Sequence, residues 1–187
     1  MNIMIVGVGG QGTLLASRIL GGVALAQGFD VKVSEVHGMS QRGGSVVTYV
    51  KYGKEVHSPI IPEGEADVIL AFEQLEACRY LEYLKKNGKL LVNSQKINPL
   101  PVIIGAAKYP DELIAKIKAT GASVFETDAL ALAEKAGSTK AANVVLIGLL
   151  ASRMDIPQKV WQDVIAQTVP PKFLEINKKA FEAGYNL

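Results

Sequence analysis

Cysteine occurs once in 187 residues, at Cys78, and histidine twice, at His37 and His57. A single thiol excludes a disulfide framework. It also excludes an iron–sulfur cluster held by this chain alone, since such clusters normally take four thiolates. Two distant histidines and one cysteine give no metal-ligand spacing, and no nucleophile triad or working pair of carboxylates is evident. Aromatic residues make up only 6% of the chain, and the formal charge is +2. Lysine and arginine are scattered, so no nucleic-acid partner is expected. No apolar run reaches the roughly 20 residues that cross a bilayer. The N-terminus lacks the basic region of a secretory signal. No membrane contact is therefore expected, and a cytoplasmic location is the default.

What is present is apolar and glycine-bearing: 49% hydrophobic residues and 18 glycines. A chain of this length buries roughly 70% of the surface its unfolded form exposes, enough for one core without staples. A single domain over residues 1–187 is expected. Asn2–Val6 reads as a strand, and residues 13–26 carry apolar positions at helical spacing. Gly28 ends that helix, and Asp30–Val36 alternates as a half-buried strand does. A right-handed crossover would make these two strands parallel.

Ser45–Tyr52 and Glu55–His57 then read as a hairpin around Gly53-Lys54. Asp67–Phe72 and Lys89–Asn93 have the continuous apolar character of buried parallel strands. Residues 73–86 read as a helix stopped by Asn87-Gly88. Val102–Ala106 and Ser123–Glu126 read as short strands. Helices are expected over 111–119, 128–136, 141–152, 157–167 and 172–183. The expected fold is α/β: a Rossmann-like open, mostly parallel sheet with helices on both faces and a β-hairpin insertion.

Two motifs carry chemistry. The first is Gly7-Val8-Gly9-Gly10-Gln11-Gly12, which leaves a strand and opens a helix. Glycines there permit a tight turn, close backbone approach to an anion, and close packing of helix on strand. The helix start adds N–H donors and partial positive charge. No Lys-Ser/Thr pair follows Gly12, so it is not a P-loop. Glu35 lies where a dinucleotide site wants its ribose acid. The loop that follows Glu35, however, would lie across the ribose position. A ligand-free packing turn remains the alternative.

The second motif, His37-Gly38-Met39-Ser40-Gln41-Arg42-Gly43-Gly44, leaves the carboxyl end of the second strand. Ligands gather at that edge in open α/β sheets, so the two glycine-rich turns should be neighbours. Arg42 offers a planar fork for a carboxylate or phosphate, and His37 could move a proton. His37, Gln41 and Arg42 are the candidate catalytic residues. Gly7, Gly9, Gly10, Gln11, Gly12, Gly43 and Gly44 are the candidate cofactor-facing ones. A packed polar His37 and an Arg42 that caps strand carbonyls are the alternatives. Glu73, Gln74, Asn93 and Ser94 fall at the same edge. Ser138 and Thr139 are candidate caps for the helix near 141–152. Cys78 falls within an expected helix and reads as a small buried hydrophobe.

The pair GVGGQGTLLASRIL and SEVHGMSQRGGSVVTYV, with ADVILAFEQLEACRYLEYLKKNGKLLVNS and NVVLIGLLA, resembles the gamma-type subunit family of 2-oxoacid:ferredoxin oxidoreductases, on its indolepyruvate side. The resemblance spans nearly the whole chain. It implies a subunit, inactive alone, of an enzyme that oxidatively decarboxylates an indolepyruvate or aryl pyruvate. It further implies thiamine diphosphate and [4Fe-4S] clusters on a larger indolepyruvate oxidoreductase-type alpha subunit, coenzyme A as co-substrate, and ferredoxin as electron acceptor through the complex. The chain itself has no thiamine motif of the Gly-Asp-Gly…Asn type. On this reading its carboxyl edge closes the partner's active site. Apolar surface left bare in the isolated chain would favour a homodimer.

Overall fold

The computed structural model describes residues 1–38 and 43–187. Among these residues one sheet of six strands runs through the molecule: β1 (Asn2–Val8), β2 (Asp30–His37), β3 (Ser45–Gly53), β4 (Ala66–Ala71), β5 (Leu84–Asn93) and β6 (Ser123–Thr127). Their spatial order is β2-β3-β1-β4-β5-β6. Only β3 runs against the rest. It pairs antiparallel with both β1 and β2, while β1–β4, β4–β5 and β5–β6 are parallel. The helices are α1 (Thr13–Ala26), α2 (Gln74–Arg79), α3 (Leu100–Ile103), α4 (Leu113–Ala119), α5 (Ala129–Ala136), α6 (Ala142–Ala151), α7 (Gln158–Thr168) and α8 (Leu174–Tyr185).

The central strands are apolar on both sides because both sides are covered. Ile3, Ile5, Val50, Val68, Leu70 and Leu91 pack beneath α1 and α5–α8. Met4, Val6, Val47, Ile69, Leu90 and Val92 pack beneath α2 and α4. In α6 every residue from Asn143 to Ala151 is buried, as expected of a helix apolar all round. It crosses α8 where both helices carry glycine. A Cβ at Gly184 would collide with the Val145 carbonyl, and one at Gly148 with the Phe181 carbonyl.

The α/β class, the mostly parallel sheet and helices on both faces match the sequence reading. Four local features differ from it. The hairpin is β2–β3 and not Ser45–Tyr52 with Glu55–His57. Residues 55–57 form no strand, and the Val56 N–H instead donates to Asp30 Oδ2 at 2.9 Å. β1 and β2 do point the same way, but β3 lies between them. Its buried Val46, Val47 and Val50 demand cover on both faces, which an edge hairpin would not give.

The expected helix 73–86 ends at Arg79, and β5 begins at Leu84. Asn87-Gly88 is an irregularity within β5, with Asn87 at φ 69°, where the register moves from Ala66↔Leu84 to Val68↔Lys89. An Asn-Gly pair tolerates left-handed backbone in a bulge as well as in a turn. Finally, Leu100–Ile103 is a short helix with Pro101 in its first turn and not a strand. Proline is tolerated there because that N–H has no intrahelical partner.

Candidate functional site

The carboxyl ends of the parallel strands gather the polar groups, and the first glycine motif is the knot that ties them. Gly7 is the last tight point of β1: a Cβ there would lie 2.9 Å from Gln11 Oε1 and 3.0 Å from Phe72 Cβ. Gly7 thus provides packing space for the Gln11 side chain, which turns back under the loop. The Val8 N–H donates to Gln11 Oε1 at 2.7 Å. Gln11 Nε2 donates to the Phe72 carbonyl at 3.0 Å and to Gln95 Oε1 at 2.9 Å. One amide therefore joins the ends of β1 and β4 and the loop after β5.

Gly12 sits at φ 84° at the start of α1. Asn143 Nδ2 donates to its carbonyl at 3.2 Å. A side chain at residue 12 would collide with that same nitrogen. Glycine is required twice over here, by conformation and by the approach of α6.

The second glycine motif is hydrogen-bonded to the first. The Gly9 N–H donates to the Gly44 carbonyl at 2.9 Å, and the Gly43 N–H to the Gly9 carbonyl at 3.4 Å. The expected juxtaposition of the two turns is therefore present. Met39, Ser40, Gln41 and Arg42 lie outside the described residues, so the candidates Gln41 and Arg42 have no observed position. His37 ends β2, exposed, with Nδ1 3.1 Å from the Gly38 carbonyl.

Two hollows flank the Gly10–Gly12 bend. One, of about 340 Å³, is lined by Gly12, Asn93, Gln95, Lys140 and Asn143 over an apolar floor that includes Phe72 and Leu146. The other, of about 400 Å³, is lined by Gly10, Thr13, Leu14, Glu35 and His37. Among the described residues no group of three or more His, Cys, Asp or Glu side chains converges to hold a metal ion.

The dinucleotide reading meets two obstacles. β3 intervenes between β1 and β2, so Glu35 stands one strand farther out, roughly 5 Å, than a ribose acid beside the first strand. Its Oε2 instead accepts from Thr48 Oγ1 at 3.2 Å and Thr13 Oγ1 at 3.5 Å, across the start of α1. The Gly9 and Gln11 N–H groups are occupied by the chain's own carbonyls, those of Gly44 and Val8. The bend is largely closed on itself.

Behind the second motif stands a pair of buried acids that the sequence reading only half found. Glu73 caps α2 by accepting the Glu76 N–H at 2.9 Å. It also accepts the Ile97 N–H at 3.1 Å and the Tyr109 hydroxyl. Burial beside Glu73 holds the Tyr109 hydroxyl far above the usual phenol range. Glu76, 4% exposed, accepts the Ser45 hydroxyl at 2.5 Å, and Tyr80 Oη lies 3.3 Å from that hydroxyl. Burial raises the Glu76 carboxyl above its ordinary value. The Ser45 hydrogen bond and Arg79 oppose that rise, and the Glu73 charge adds to it. Ser45 directly follows Gly43-Gly44, so Glu76 anchors the returning end of that loop.

Asn93 is buried and accepts the Ala129 N–H at 3.0 Å through Oδ1. The Ser138 hydroxyl accepts the Lys140 N–H at 3.3 Å, capping the turn before α6 as read from sequence. Cys78 is exposed on α2 and is no core residue, because α2 lays Gln74, Glu76 and Ala77 inward. His57 is exposed beside Glu55. Gln95 and Glu76 escaped the sequence reading. One sits in a loop with no periodic signal, and the other looks like an ordinary helix-start acid.

Comparison with known proteins bears directly on this rim. The chain is 47% identical over 188 residues to the indolepyruvate oxidoreductase subunit IorB of Thermococcus kodakarensis, covering 98% of this chain and 93% of that one. The pyruvate oxidoreductase subunit PORC of Thermotoga maritima has the same fold, with a TM-score of 0.77 at 21% identity over 100% of this chain and 95% of that one. The fold recurs, with a TM-score of 0.69 at 17% identity, in the 2-oxoglutarate:ferredoxin oxidoreductase of Magnetococcus marinus. There it covers 100% of this chain but 30% of the longer one. The model of the pyruvate ferredoxin/flavodoxin oxidoreductase family matches residues 2–187. The chain belongs to that family and is a small subunit of the 2-oxoacid:ferredoxin oxidoreductase kind.

Proposed function

We propose that this chain, acting as one domain over residues 1–187, is the small subunit of an oxidoreductase for indolepyruvate or a related aryl 2-oxoacid. Its carboxyl rim closes the active site of a larger alpha subunit. The observation that carries this reading is the 47% identity to IorB across nearly the full length of both chains. The 2-oxoglutarate synthase subunit KorC of Methanothermobacter thermautotrophicus shares 31%, which favours the aryl substrate class over the dicarboxylate one.

The residues present do not fit the redox groups such a reaction uses. Four thiolates cannot come from Cys78 alone, and the described rim offers amides, a lysine and glycines where a metal–diphosphate site would want carboxylates. Thiamine diphosphate and [4Fe-4S] clusters are therefore assigned to the partner, with coenzyme A as co-substrate and ferredoxin as acceptor. The carbanion and electron-transfer chemistry belongs to those groups.

This chain's share is positioning and exclusion of water. Arg42, in the second motif, is assigned the anion contact, either to the substrate carboxylate or to a coenzyme A phosphate. His37 and Gln41 stand beside it in the motif. The test is co-expression with the larger subunit, followed by 2-oxoacid- and coenzyme A-dependent dye reduction. Arg42→Ala should lower turnover or raise the substrate KM about tenfold or more, as loss of a charge-assisted hydrogen bond would, while the complex still assembles. Wild-type kinetics in that variant would overturn the Arg42 assignment. Saturable binding of NAD or FAD by the lone chain would overturn the subunit reading in favour of a free-standing Rossmann enzyme.

A further inference from the structure

One feature of the rim takes no part in the hollows. Residues 97–109 leave the sheet after β5 and return to it before α4, and both feet rest on one buried carboxylate. Glu73, 1% exposed, accepts the Ile97 N–H at 3.1 Å and the Tyr109 hydroxyl. Between those feet the chain rises into α3, none of whose residues is buried. Leu100 is 67% exposed, Ile103 69% and Ile104 67%. Three large aliphatic side chains, each about two-thirds in water within five residues, form a concentrated apolar knob and not the scattered exposure normal for a surface. Its base is joined to the glycine bend, because Gln95 bonds Gln11 at 2.9 Å and its carbonyl accepts the Gln74 N–H at 3.2 Å. From residue 94 to residue 110 there is no acidic side chain, while Lys96 and Lys108, both exposed, flank the apolar tip.

The geometry points to this knob as the anchor that docks the chain onto its larger partner subunit, in an apolar groove of that subunit edged by carboxylates. The inference rests on the subunit reading above and names the surface. Two observations favour a protein partner of that chemistry. The knob is fastened to the same rim as the two glycine turns, so whatever covers the rim also reaches the knob. Its flanking charge is of one sign, which steers and registers an oppositely charged border. A loop held at both feet also loses little freedom on docking, and such pre-organised aliphatic anchors carry a large share of interface energy.

The test is assembly of the chain with its co-expressed larger subunit, measured for wild type and for Leu100→Asp, Ile103→Asp, Ile104→Asp and the pair Lys96→Glu/Lys108→Glu. Each aliphatic substitution should weaken assembly about tenfold or more, the loss expected when a buried Leu or Ile is replaced by a charge. The lysine pair should weaken it mainly at low salt. The melting temperature of the lone chain should stay within a few degrees in all variants, since these side chains are exposed. Assembly of the aliphatic variants with wild-type affinity would overturn the docking assignment while leaving the subunit reading intact. Failure of the wild-type chain to assemble would overturn both. Two further outcomes would also overturn the assignment: a concentration-dependent dimer of the lone chain that the aspartate variants abolish, or sedimentation of the lone chain with phosphatidylglycerol vesicles that they abolish.

Discussion

Replacing Gly12 with alanine should cost the fold two separable terms. The first is conformational: Gly12 sits at φ 84°, and forcing a Cβ into left-handed backbone costs about 1–2 kcal/mol. The second is steric and polar. The new methyl would collide with Asn143 Nδ2, whose 3.2 Å bond to the Gly12 carbonyl joins α1 to α6. Displacing a 4%-exposed amide from that bond costs about 1–2 kcal/mol more. The single variant should therefore lose about 2–4 kcal/mol.

Asn143→Ala alone removes the bond and opens a hole that the residue-12 methyl could fill. In the double variant the collision disappears and only the conformational term and the lost bond remain. The double variant should thus be more stable than the sum of the singles by about 1–2 kcal/mol. Urea unfolding reads this directly, because Trp161 is the only tryptophan and is fully buried. Additivity within about 0.5 kcal/mol, or a Gly12→Ala cost below about 1 kcal/mol, would refute the reasoning that α6 pins the bend through Asn143.

Gly184→Ala places a methyl against the Val145 carbonyl in the α6–α8 crossing. It should destabilise by about 2–4 kcal/mol as the helices part, while Gly10→Ala, with open space around it, should cost only the left-handed term of about 1–2 kcal/mol; urea midpoints compare them. Glu76 has its carboxyl raised in the fold, chiefly by burial, so the folded state binds its proton more tightly than the unfolded chain. The stability it contributes is complete below the ordinary carboxylate value and lost as pH rises through the raised one. Glu76→Gln should therefore match wild type in acid and exceed it progressively above, and equal pH slopes of unfolding free energy would contradict this.

Much of this architecture was legible in residue pattern. The apolar runs Asn2–Val6, Asp67–Phe72 and Lys89–Asn93 are covered on both faces, and nothing but a central strand explains such runs. The two glycine motifs could be placed at one rim because both follow strands that point the same way. What escaped was non-local or non-periodic. β3 slips between β1 and β2 because its valines need cover on both faces, and local sequence does not say which neighbour supplies it. Asn87-Gly88 looks like a helix stop until β4 is seen beside it. Residues 100–104 carry β-branched side chains, yet Pro99 and Pro101 seat them at a helix start. Gln11 was read as part of a ligand cradle, and its side chain proves to be the internal tie that shuts the bend. The roles of Gln95 and Glu76 exist only through partners 84 and 31 residues away.

The claim that this chain is half of an enzyme is tested most directly by mixing. Purified alone, the chain and the larger alpha subunit should each fail to reduce a viologen dye with indolepyruvate and coenzyme A, and the reconstituted pair should do so with a turnover that saturates at one small subunit per large one. Turnover by this chain unaided, or undiminished turnover by the larger subunit without it, would contradict the account.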